Sequence, residues 1–124
     1  MVMTIWVDAW QHECCGAPFK VAAKVRWTLA VRGVDFLRSL FPAAQPVAIT
    51  HAEEHHGDVP EHAPITVGLV VSIRAVQLRY ERSPETDTRL PVPGSARLTP
   101  VDNSDGPETR SAGFAGYIVE VDAG

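Results

Sequence analysis

Apolar and polar residues alternate with a period of two through much of the chain, a pattern that predicts strands. Thr4 to Trp10 sets Ile5, Val7 and Ala9 on one side and Trp6, Asp8 and Trp10 on the other, so both faces of this strand carry bulk. Lys24 to Val31 is cleaner: Val25, Trp27, Leu29 and Val31 share one face, and Lys24, Arg26, Thr28 and Ala30 the other. Ile65 to Tyr80 is long for one strand, and its phase slips. Ile65, Val67, Leu69, Val71 and Ile73 fall on one parity, whereas Val76, Leu78 and Tyr80 fall on the opposite one. A bulge or bend near Arg74-Ala75 would return both halves to a single core, and Gly68 is a second place for a bend. Pro91, Pro93, Gly94 and Pro100 confine the next strand to about Arg97 to Val101. Gly113 to Asp122 alternates again, with Ala115, Tyr117, Val119 and Val121 inward.

Two stretches change period. After Gly33, the residues Val34, Leu37, Leu40 and Phe41 recur at helical spacing until Pro42 ends the run. Thr50-His-Ala-Glu53 fits a capping box, with Gly57 as a C-cap residue, and predicts a second helix of barely two turns. Residues 11–18, 81–89 and 102–111 are polar and rich in breakers, and read as loops. The set describes a mainly β fold: a small SH3-like or OB-like barrel of about five strands with one or two short helices. Closure would remove the sheet edges that such apolar strands otherwise expose. A split β-sandwich is the rival.

Length and composition narrow the class. At 124 residues the chain has room for a single domain, 1–124, with enough apolar surface for a core without staples. A formal charge of −4 disfavours nucleic acid as a partner. The charge is unevenly spread: Lys20, Lys24, Arg26, Arg32 and Arg38 stand against Asp35 alone between Gly16 and Leu40, while residues 41–62 carry four acids and no Lys or Arg. Opposed faces of this kind are solvated surfaces or the two halves of a site for another protein. The N-terminus lacks a secretory pattern, and the most apolar run, Val67 to Val71 with its flanks, is too short to span a bilayer. Cys14 and Cys15 are adjacent and cannot bridge distant parts of the chain, which predicts a cytoplasmic protein without a membrane role.

Candidate chemistry gathers in two segments. His12, Glu13, Cys14 and Cys15 form one; His51, Glu53, Glu54, His55, His56 and Asp58 form the other. Thiolate and imidazole suit a divalent ion such as zinc. On a helix, His51 and His55 would project from one face, with Cys14 or Cys15 and His56 available to complete the set and Asp8 or Glu54 orienting an imidazole. Vicinal cysteines lack the C-x2-C spacing that wraps one ion, and Ala52 stands where H-E-x-x-H would need Glu. The same residues also read as a capped helix with small buried thiols, in which case the module is metal-free. A thiolate beside His55 or His56 would make a small Cys/His-dependent enzyme. Trp6 and Trp10, on one strand face, would form a stacking platform for a ring-bearing ligand.

Trp6-Val-Asp-Ala-Trp-Gln11, Cys14-Cys-Gly16, His55-His-Gly57 and Pro91-Val-Pro-Gly94, in this order, resemble a family of small bacterial proteins of unknown function, over about Trp6 to Asp122. The resemblance implies no activity. Ala23 departs from the Gly-Asp turn that such a barrel would carry before Val25.

Overall fold

The computed structural model describes residues 1–54 and 63–124, apart from the side chains of Gln11, Cys14 and Cys15. His55, His56, Gly57 and Asp58 of the second candidate segment lie outside the described residues. In chain order the elements are β1 (Val2–Asp8), α1 (Ala9–Cys15), β2 (Lys24–Ala30), α2 (Val34–Ser39), β3 (His51–Glu53) and β4 (Ile65–Gln77). There follow β5 (Tyr80–Arg82), β6 (Arg89–Pro91), β7 (Arg97–Val101), a 3-10 turn (Pro107–Arg110) and β8 (Phe114–Asp122).

Five strands close on themselves in the order β2-β3-β1-β8-β4, and β4 pairs back with β2. All these pairings are antiparallel except β1 with β3, which is parallel. β7 lies outside the ring, hydrogen-bonded along the C-terminal half of β4, and β5 with β6 forms a separate hairpin. The mainly β barrel expected from the alternation is the observed fold.

Two apolar clusters sit on opposite sides of the barrel wall. The inner one takes Met3, Ile5 and Val7 from β1, Val25 and Trp27 from β2, Val70, Ile73 and Ala75 from β4, and Tyr117, Val119 and Val121 from β8. The outer one covers the opposite parity, Trp6, Val76 and Ile118, with Val34, Leu40, Phe41, Val47 and Ile49. This explains why β1 and β8 carry bulk on both faces. The α2 segment and the chain that follows it form a lid over one patch of wall. Arg38 pins that lid by donating to the Ile49 carbonyl from Nε at 2.9 Å and from Nη2 at 2.6 Å.

Three local expectations need correction. First, β1 stops at Asp8 and the chain turns helical, so residues 9–15 are α1 rather than strand end and loop. Asp8 Oδ1 accepts the Trp10 N–H at 2.9 Å and serves as the turn's cap, a signal visible in the sequence but masked by the run of alternation. Second, the capping-box segment is not a helix. Residues 51–53 are β3, slotted between β1 and β2. Thr50 bridges to Thr4 instead, accepting its N–H at 3.0 Å and donating to its carbonyl at 3.1 Å. Two open strand edges outweigh a two-turn helix, because they satisfy more backbone groups and bury Ala52.

Third, the phase slip in β4 falls between Val70 and Ser72 rather than at Arg74-Ala75. Val71 is the extra residue, so the inward set is Thr66, Gly68 and Val70 before the bulge and Ile73 and Ala75 after it. Ile65, Val67, Leu69 and Val71 therefore face outward. Gly68 lies hard against β8: a Cβ there would come 2.5 Å from Val121 Cγ1 and 2.8 Å from the Asp122 carbonyl. Gly68→Ala is expected to destabilise the barrel by about 1–3 kcal/mol through overpacking. Ile73→Ala is expected to cost about 2–5 kcal/mol through the cavity left in the inner cluster. Chemical denaturation of the two variants checks both.

Candidate functional site

Because β1 and β3 are parallel neighbours, with Ile5 opposite His51 and Trp6 opposite Ala52, their C-terminal ends open at the same end of the barrel. The α1 segment begins directly after β1, and Glu54 follows β3 directly. That end carries His12 and Glu13 on α1, with Glu53 at the end of β3 and Glu54 just beyond it.

Glu53 stands opposite Leu29 of β2 and is 2% exposed, a carboxyl taken out of water beside the inner cluster. Burial, reinforced by the charge of neighbouring Glu54, pushes it up to about 7. Glu54 is half-buried and donates its backbone N–H to the Thr28 carbonyl at 2.9 Å.

An aromatic plug closes the same barrel end. The His12 ring lies edge-on to Phe19, 5.3 Å between centroids, and to Tyr117, 6.0 Å. Phe19 meets Trp27 in turn, and Tyr117 meets Phe114. The Tyr117 hydroxyl donates to the Ser104 carbonyl at 2.8 Å and lies 3.3 Å from Glu108 Oε1. Burial and that carboxylate raise its ionisation far above the ordinary phenol range. Ser104 is buried, and its Oγ accepts the Phe19 N–H at 2.9 Å. Outside the plug, His12, Glu13, Gly16, Ser104, Asp105 and Arg110 line a cleft of about 390 Å³.

The sequence-derived candidates separate. Cys14 and Cys15 are the last two residues of α1, at the barrel end just described. His51 is not on a helix, so the i, i+4 pairing with His55 is lost; its Nδ1 lies 2.9 Å from Thr50 Oγ1. Asp8 caps α1. Trp6 is 5% exposed in the outer cluster and Trp10 is 66% exposed on α1, so the two share no face and form no platform. Among the described residues, no three of His, Cys, Asp and Glu gather as a metal cluster. No helix is long and apolar enough to cross a membrane among those residues. Sequence reasoning missed the buried character of Glu53, which follows from its parity in β3 once the strand is known. It also missed Arg79, Arg89 and Arg97, whose convergence depends on loop geometry.

A family model described as a family of unknown function, DUF6578, matches residues 1–123. No curated protein and no solved structure matches the chain.

Glu53 gives this barrel end a pH signature. Below pH 4.5 the carboxyl is protonated whether the chain is folded or unfolded, and stability sits on its plateau. Between 4.5 and about 7 only the unfolded chain releases the proton, so stability falls as pH rises, and it levels off above 7. The loss is expected to be about 2 kcal/mol after allowance for solvent screening. Urea unfolding at pH 4.5 and 7.5 measures it, and Glu53→Gln should flatten the dependence.

Proposed function

We propose, for a chain that belongs to DUF6578, a family of unknown function, that it works as an interaction module whose docking surface is the outward face of β4. The observation that carries this reading is the stripe Ile65, Val67, Leu69 and Val71, exposed by 55%, 40%, 51% and 49%. Four adjacent apolar side chains on one strand face differ from the scattered single residues that any surface shows. The flanks are charged with opposite sign. On the β2 side, Lys24 pairs with Leu69 and Arg26 with Val67; on the β8 side, Asp122 pairs with Leu69, while Glu120 pairs with Ser72 beside the bulge.

A second copy of the chain is the occupant this surface suits. A two-fold axis running along β4, in the plane of contact, lays one stripe on the other and sets each basic flank over the partner's acidic flank. Lys24, Leu69 and Asp122 lie in one row of the sheet, so Lys24 of one copy would meet Asp122 of the other. Asp122 Oδ1 lies 3.4 Å from the Met1 amino nitrogen, an exposed contact that a partner charge replaces at little cost.

A second reading is favoured by the shared exit of β1 and β3. Since α1 starts and Glu54 stands at the same barrel end, Cys14, Cys15, His55 and His56 are candidates for one zinc ion, structural rather than catalytic. His51 is left out of this set. The adjacent cysteines also support a cytoplasmic setting, where thiols stay reduced.

Sedimentation velocity at micromolar concentration is expected to show a dimer. Leu69→Asp should convert it to a monomer without unfolding, because the side chain is exposed. Lys24→Glu should weaken the dimer, and combining it with Asp122→Lys should restore it. A wild-type chain that stays monomeric at these concentrations removes the docking proposal. For the second reading, elemental analysis of purified protein should find close to one zinc per chain; a folded, metal-free sample dismisses it.

A further inference from the structure

A surface remote in function from the stripe carries a separate inference. Beyond the C-terminal end of β4, a cleft of about 340 Å³ is lined by Arg79, Arg89 and Arg97 with Tyr80, Ser95 and Gly113. The three guanidiniums come from three different places: the turn after β4, the first residue of β6 and the first residue of β7. The backbone holds them together. Arg97 pairs with Gln77 at the last register position of β4, the Arg79 N–H donates to Ser95 Oγ at 3.1 Å, and the Val92 N–H donates to the Arg79 carbonyl at 2.8 Å. The floor depends on Gly113, at φ +80°, whose Cβ would collide with the Leu78 carbonyl at 2.4 Å.

Two other arginines in this chain have acids beside them. Arg82 Nε meets Asp87 at 3.1 Å, and Arg38 lies 3.5 Å from Asp35. Among the described residues, the side chains of Arg79, Arg89 and Arg97 make no ion pair. Asp8 lies within electrostatic reach of the Tyr80 hydroxyl, on which its charge and that of Arg89 act in opposite directions. Three like charges lining one cleft, in a chain of net charge −4, form a local positive field that favours an anion.

We propose that this cleft binds a small ligand through a phosphate group. Planar guanidinium forks match the terminal oxygens of phosphate, and three of them surround a dianion that one fork would leave partly unmatched. The volume lies at the small end of the range for ligand pockets, roughly 300–1,000 Å³, which suits a phosphate and a short attached group. The acidic balance of the rest of the chain disfavours a nucleic-acid strand as the source of that phosphate.

Titration calorimetry on the full chain at low ionic strength tests the proposal with inorganic phosphate, pyrophosphate and a short single-stranded oligonucleotide. Saturable binding of pyrophosphate, tighter than phosphate and weakened by salt, is the expected result. Arg89→Gln and Arg97→Gln should each weaken it by about tenfold, while Arg82→Gln should leave it unchanged. All three side chains are exposed, and circular dichroism confirms that the variants fold. The proposal is overturned by absence of saturable heat, by an equal loss in Arg82→Gln, or by oligonucleotide binding that pyrophosphate does not displace.

Discussion

Closure of the barrel is the constraint on which the remaining structure depends. Without β3 between β1 and β2, both of those strands would present open edges, and the inner cluster around Ile5, Trp27, Ile73 and Tyr117 would face solvent on one side. Three residues fill this gap. To do so they run parallel to β1, which brings the chain back across α2 before β3 and sets Glu53 and Glu54 at the α1 end. The lid and the buried carboxyl of Glu53 are both consequences of that one placement.

Most of the architecture was legible in the alternation. β2, β8 and the long β4 follow the period of two, and α2 follows the change to helical spacing after Gly33. The errors have a common physical origin. Local signals at Thr50-Glu53 favoured a short helix, but edge pairing over both neighbours outweighs one capping box. The β4 slip was visible as a change of parity. Its position was not, because apolar residues occupy both faces of this strand before Ser72, and only the partner strands decide which set turns inward.

Less of the candidate site could be read beforehand. Cysteine and histidine attract attention by their chemistry, so they were singled out. In the sequence Glu53 fits a capping box, and its burial follows only from the pairing of β3 with β1 and β2. Arg79, Arg89 and Arg97 are eight to ten residues apart among prolines and turn residues, and no periodicity links them. Their meeting is a product of the β5–β6 hairpin and of β7 docking on β4. Trp6 and Trp10 illustrate the opposite failure. Their spacing would share a face in a continuing strand, but the change to helix at Ala9 leaves Trp10 in solvent while Trp6 is buried in the outer cluster.

The brevity of β3 also shapes how the barrel breathes. The other four staves run seven to thirteen residues, whereas this one has three, and its inner position opposite Leu29 is a carboxyl rather than a hydrocarbon. A ring opens at its shortest seam. Transient fraying there would wet Glu53 first and part β1 from β2 while the β8–β4 sheet stays paired. Since the frayed ends border the start of α1, the molecule's least secure joint also adjoins the aromatic contacts of His12 with Phe19 and Tyr117.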